Sequence, residues 1–196
     1  MSTTINGVIL RVDSRDRHAH IRFGQVATSD FTPESNFGFD LYQVVEPETA
    51  VSCTEFSLTK IRSCQTKIQY DIDEAWDKVF KGVNGADPKD TISSAIKNGL
   101  KYLTSVTRDF GLKGYYRGDT GDLKDAFDNT RSAMQMAQSS SMNNTYWYAE
   151  WNNTPIFGIM PVGKTRVSAH SYVIVDWKII NGETVFLIDS HQGQKR

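Results

Sequence analysis

The chain has 196 residues, 39% of them hydrophobic and 23% charged, with a formal net charge of −1. That size fits one large domain or two small lobes sharing a cleft, and the composition is that of an ordinary soluble globule. A near-neutral charge supplies no field to gather nucleic acid or anionic lipid, and no apolar run approaches the ~18 residues of a membrane span.

The opening stretch, Met1 to Gly7, lacks a basic segment followed by an apolar core, so it does not read as a secretory signal. An initiator Met argues for a complete chain. Residues 1–52 are turn-rich, with Gly7, Gly24, Pro33, Gly38 and Pro47 among short apolar pieces, and Val8-Ile9-Leu10 is the one run there that reads as a strand. The loop Glu46-Pro47-Glu48-Thr49 then gives way to Ser52-Cys53-Thr54-Glu55-Phe56-Ser57 and a helical pattern over 53–68. Leu58, Ile61, Cys64 and Ile68 form its apolar stripe, widened by Phe56, with Glu55, Thr59, Arg62 and Thr66 opposite. So wide an arc predicts a helix largely surrounded by protein.

Three more helices are predicted. Asp71-x-x-Glu74 is a capping-box-like start for one that stops at Gly82. Asp87-Pro88 places a cap and an N1 proline before a helix carrying Ile92, Ile96, Leu100, Leu103 and Val106 and ending at Gly111. Gly114–Asp122 reads as a loop, and Leu123, Ala126, Phe127, Thr130, Met134 and Ala137 mark the fourth helix. Past Ser139-Ser140-Ser141 the character turns to strands, at Tyr146–Tyr148, Ile156–Ile159, Tyr172–Val175 and Val185–Ile188, with Asn181-Gly182 as a hairpin signal between the last two. The order predicts an α+β fold, helices first and strands second.

Cys53 is the residue that suggests chemistry. A thiol at a helix N-terminus meets the positive end of the dipole, which favours thiolate. Cys64, the other cysteine, lies on the same predicted helix, roughly 16 Å away at 1.5 Å per residue, too far for a disulfide. Two thiols suit a reducing, cytoplasmic setting. The sequons at Asn143 and Asn152 then read as chance matches. Downstream, His170 opens one predicted strand and Asp189 ends the next. A nucleophile, an imidazole base and a group that fixes the base's tautomer are what thiol catalysis needs.

Other features carry less. His18 and His20 lack companions for a zinc site and read as surface residues, so neither metal nor cofactor is expected. Gly114, Gly118 and Gly121 do not follow a phosphate-loop spacing, and Arg117-Gly118-Asp119 reads as a turn. Tyr146-Trp147-Tyr148 with Trp151, and Met134 with Met136, read as packing.

Taken together, the runs Ser52–Ser57 and His170–Gly193 resemble those of papain-like cysteine peptidases. Val175-Asp176-Trp177, Asn181-Gly182-Glu183 and Leu187-Ile188-Asp189-Ser190 resemble bacterial and phage-type members in particular, and Asp13-Ser14-Arg15-Asp16 resembles the Asp-x-Arg opening of the mature enzymes. The resemblance implies a two-lobe fold, with a helical lobe over roughly 41–138, a β lobe over roughly 141–196, and residues 1–40 packing across. It implies a protein or peptide substrate and a Cys53, His170, Asp189 triad acting through a thioester. The family's third member is usually asparagine; a gapless match places Ser190 there, and a match on chemistry places Asp189. An ideal two-residue hairpin at Asn181-Gly182 sets His170 opposite Gly193, with Asp189 on the same face but roughly 13 Å along the strand. A bulge or longer loop is needed to bring them together. Parity favours Asp189; His191 shares its face. Where the family places an oxyanion glutamine, this chain has Pro47, and Gln43 is the substitute within reach if the loop is re-routed. The alternatives to a peptidase are a papain-fold module that binds without turnover, in a phage particle or host-directed complex, and an amidase or acyltransferase using the same triad.

Overall fold

The computed structural model describes residues 34–36, 51–79, 85–115, 123–137, 139–154, 159–181 and 183–191. Helix α1, Cys53–Thr66, runs between two bodies of the fold and ends at Lys67, whose φ of 61° breaks the helix while its N–H donates to the Ser63 carbonyl. Ten of its 14 residues are buried, as the wide apolar arc implies. Glu55 and Thr59, expected on the outer side, are buried too. The helix is enclosed on both sides, and buried polar groups survive there because they are hydrogen-bonded. Thr54 and Thr91 hydroxyls donate to the two Glu55 carboxylate oxygens at 2.8 Å each, and Thr59 donates to the Glu55 carbonyl at 2.7 Å.

On one side α1 packs on α2, Ile72–Val79, and α3, Pro88–Asn98, through Leu58, Tyr70, Ala75, Ile92, Ala95 and Leu100. Both predicted caps are present. Asp71 Oδ1 accepts the Glu74 N–H at 3.0 Å, and Asp87 Oδ1 accepts the Lys89 N–H at 2.9 Å ahead of Pro88. The predicted stop of α2 at Gly82 lies outside the described residues. The run of α3 to Gly111 is not found. The helix stops at Asn98, because Gly99 sits at φ +69° with the Phe110 ring 3.0 Å from where a Cβ would be. The chain then forms a short hairpin, β2 Leu100–Lys101 with β3 Arg108–Asp109. Leu100 turns into the core while Leu103 and Val106 are exposed, so their helical spacing is coincidental. Asp109 ties this hairpin to α1. It accepts from Arg62 Nε at 2.5 Å, Arg62 Nη2 at 3.1 Å, the Tyr70 hydroxyl at 2.7 Å and the Gly111 N–H at 2.7 Å.

The second half begins with α4, Leu123–Ala137, at the predicted place. Strand β4, Ser141–Tyr148, leads through a 3-10 turn, Ala149–Asn153, to β5, Arg166–Ile180, and β6, Glu183–Asp189. The predicted strand at Ile156–Ile159 is not described over 155–158, and Ile159 is outside any strand. Strand β5 is the hub: β4 and β6 pair with it antiparallel, as does β1, Glu34–Asn36. β1 follows Pro33 in a stretch that reads as irregular; the predicted strand at Val8–Leu10 lies outside the described residues. Ile180 pairs with Glu183 across the predicted hairpin, and Asn181 follows β5 at φ 52°. Met134, Trp147, Tyr172, Ile174 and Trp177 form the core of this half, and Arg131 of α4 lies 5.4 Å over the Trp177 ring. The outcome is the α+β arrangement expected. Among the described residues no helix is long and apolar enough to cross a membrane.

Candidate active site

Cys53 is the first residue of α1 and is fully buried. The chain enters through Ser52, whose carbonyl accepts the N–H groups of Glu55 and Phe56 at 3.0 Å each. Cys64 is also buried, and both remain thiols. Burial pushes the Cys64 thiol up from its ordinary range.

His170, also fully buried, lies within β5 opposite Thr145 of β4. Helix α1 meets β5 next to it, where the Ser171 hydroxyl donates to Ser57 Oγ at 3.0 Å. Ser57 is four residues after Cys53, so this contact lies about 6 Å along the helix from the thiol. The helix that begins at Cys53 and the strand of His170 are therefore joined about one helical turn from Cys53. The His170 ring stands edge-on to Trp147, with centroids 5.1 Å apart, and 5.3 Å from the ring of His191. Its Nε2 is 3.0 Å from the Ser190 carbonyl oxygen. A carbonyl only accepts, so Nε2 carries the proton there and Nδ1 is the basic nitrogen.

The hairpin register decides which residue reaches His170. From Ile180 to Asp176 the pairing with β6 is that of the ideal two-residue hairpin. Between Ile174 and Asp176 it shifts, Ile174 facing Ile188 and Val173 facing Asp189. Val175 is thus one extra residue on β5, and one extra residue reverses the facing of everything beyond it. His170 then shares a face with Tyr172, Ile174 and, across the hairpin, position 190. Contrary to the expectation from parity, Asp189 lies on the opposite face, toward α1. There its Oδ2 pairs with Lys60 Nζ at 3.2 Å and its Oδ1 accepts the His191 N–H at 2.9 Å. The bulge that the sequence argument required is present, yet it brings the main chain of Ser190 to the imidazole, not the Asp189 carboxylate.

Gln43 and Pro47 lie outside the described residues. His18 and His20 do too, and among the described residues there is no cluster of three or more metal-ligating side chains. No role is expected from sequence for Lys60, Ser57 or Ser171, and His191 is expected only to share a face with Asp189. His191 is buried, stacked on Phe56 with centroids 5.5 Å apart, and its Nε2 is 3.1 Å from Ser57 Oγ. Desolvation holds its pKa down at about 4, against the pull of Asp189. One signal for this cluster was legible: Phe56, Ser57 and Lys60 share one side of a helix predicted to be enclosed.

No family model matches the sequence, and no curated protein matches it. Xylellain, a cysteine protease from Xylella fastidiosa, superposes with a TM-score of 0.72 at 15% identity, covering 99% of this chain and 88% of that one. The proCathepsin B S9 of Trypanosoma congolense gives 0.67 at 8% identity, over 96% and 76%. The bromelain protease of Ananas comosus, solved with the E64 inhibitor, gives 0.55 at 14%, over 84% and 86%. The chain has the fold of papain-like cysteine proteases.

Proposed function

We propose that this papain-like chain is a cysteine peptidase, with Cys53 as nucleophile and His170 as its base. Cys53 Sγ attacks the substrate carbonyl carbon as thiolate, with its proton held on His170 Nδ1. The tetrahedral intermediate collapses with cleavage of the C–N bond, His170 giving that proton to the leaving amine. Water, deprotonated by His170, then attacks the thioester, and the C–S bond breaks to return the thiol and release the acid. The Ser190 carbonyl orients the ring, and Asp189 supports it from the neighbouring residue. The Cys53 N–H and Gln43 hold the oxyanion; loss of one such donor costs about 2.7–4 kcal/mol of transition-state stabilisation. Peptide and isopeptide bonds are the substrates of this reading.

The observation that carries it is a helix that starts at Cys53 and packs on the strand of His170, whose Nε2 rests on the Ser190 carbonyl. The test is turnover of a peptide library by the chain and its Cys53→Ala and His170→Ala variants. Hydrolysis lost in both variants supports the proposal, and hydrolysis that survives Cys53→Ala overturns it. A papain-fold module that binds without turnover is the second reading, favoured by the complete burial of both Cys53 and His170. Acyl transfer to an amine is separated from hydrolysis by product mass.

A further inference from the structure

Strand β6 ends at Asp189, so the ladder with β5 does not extend to the Ser190 carbonyl that meets His170 Nε2. The next residue, His191, has φ 43°, a left-handed backbone that a non-glycine residue holds only where its surroundings over-determine it. Those surroundings come largely from α1. The His191 ring stacks on Phe56 and its Nε2 meets Ser57 Oγ at 3.1 Å. The His191 N–H is held at 2.9 Å by Asp189 Oδ1, and Asp189 Oδ2 is held at 3.2 Å by Lys60 Nζ, itself buried on α1. Phe56, Ser57 and Lys60 fall within five residues of one helix, the helix that begins at Cys53.

We infer that residues 189–191 form a clamp in which Lys60, Asp189 and His191 position the Ser190 carbonyl, and through it the His170 ring. The orienting group is then main chain, and its placement is referenced to the same rigid helix as the nucleophile. This explains why a strand end with no asparagine can still fix the imidazole: a peptide carbonyl accepts the Nε2 proton as an amide oxygen does, provided its peptide plane cannot swing. Displacement of a catalytic group by about 1 Å is enough to lose rate on the order of 100-fold.

The inference rests on the peptidase reading, and its test separates the two. Lys60→Met, Lys60→Arg, Asp189→Ala, Asp189→Asn and the double variant Lys60→Met/Asp189→Ala are compared with the parent chain. Peptide hydrolysis is measured alongside long-range ¹⁵N NMR of the His170 ring and thermal melting. Lys60→Met and Asp189→Ala are expected to lower kcat roughly 10- to 100-fold with KM unchanged and to erode the Nε2–H signature of His170. The double variant falls no further than the worse single, and Lys60→Arg restores most of the rate. Asp189→Asn keeps the acceptor for the His191 N–H and loses less than Asp189→Ala, which covers the case in which the alanine fails to fold. Folded variants with parental kcat and an unchanged Nε2–H signal, or losses that multiply in the double variant, overturn the clamp. If the parent chain hydrolyses no peptide, the peptidase reading fails, and the His170 NMR signature alone then decides the clamp.

Discussion

Acidification should weaken this fold through His191. The ring is desolvated between α1 and the end of β6, with Phe56 against its face, Ser57 at Nε2, and Asp189, Lys60 and His170 as the charged or titratable neighbours. Its pKa is lowered from 6.5 to about 4, burial being the main cause and Lys60 a lesser one, with Asp189 opposing. A histidine with a depressed folded pKa is neutral in the fold where the unfolded chain already binds a proton. Its contribution is therefore intact above about pH 6.5 and lost as pH falls toward about 4. With these values the loss is about 2 kcal/mol at pH 5 and about 3 kcal/mol at pH 4, at 1.36 kcal/mol per unit. The assay is urea unfolding from pH 7.5 to 4.5 for the parent and His191→Gln, beside NMR titration of the His191 ring. The parent should lose about 2 kcal/mol more than the variant between pH 7.5 and 5, with a ring midpoint near 4. Equal slopes, or a midpoint near 6.5, would refute the reasoning.

Asp109→Ala strands the Arg62 guanidinium and the Tyr70 hydroxyl and should cost about 2–4 kcal/mol in urea unfolding. Arg62 holds the Asp109 pKa down at about 2, so this tie is fully present above about pH 4 and fails as pH falls toward 2. Gly99→Ala meets both the positive φ and the Phe110 ring, and should lower stability by about 1–3 kcal/mol. Trp147→Ala empties the centre of the β-half core beside His170 and should cost about 3–5 kcal/mol, read by thermal melting.

How much of this was legible in the sequence depends on what each element needs. The start of α1 at Cys53, the caps at Asp71 and Asp87, and the Asn181-Gly182 hairpin are local signals, and each was found in place. The bulge at Val175 was not, because Ile174-Val175-Asp176 carries no glycine or proline to mark it; yet that one residue decides whether Asp189 or Ser190 faces His170. The helix expected over 88–110 failed at Gly99, where apolar spacing outvoted a residue able to adopt φ +69°. Glu55 and Thr59 read as an outer face because periodicity counts apolar residues and cannot see Thr91 of α3 arriving to satisfy a buried carboxylate. Of the clamp around His191 only the shared side of Phe56, Ser57 and Lys60 was legible, since these anchors on α1 matter only once the end of β6 lands beside them.

The most direct test of the account is the rate at which an electrophilic thiol reagent such as iodoacetamide modifies each cysteine of the folded chain. Peptide mapping follows Cys53 and Cys64 in the parent and in His170→Ala. Cys53 should be modified far faster than Cys64, whose thiol burial pushes up, and His170→Ala should abolish the difference. Equal, slow modification of both thiols in the parent would contradict Cys53 as the nucleophile.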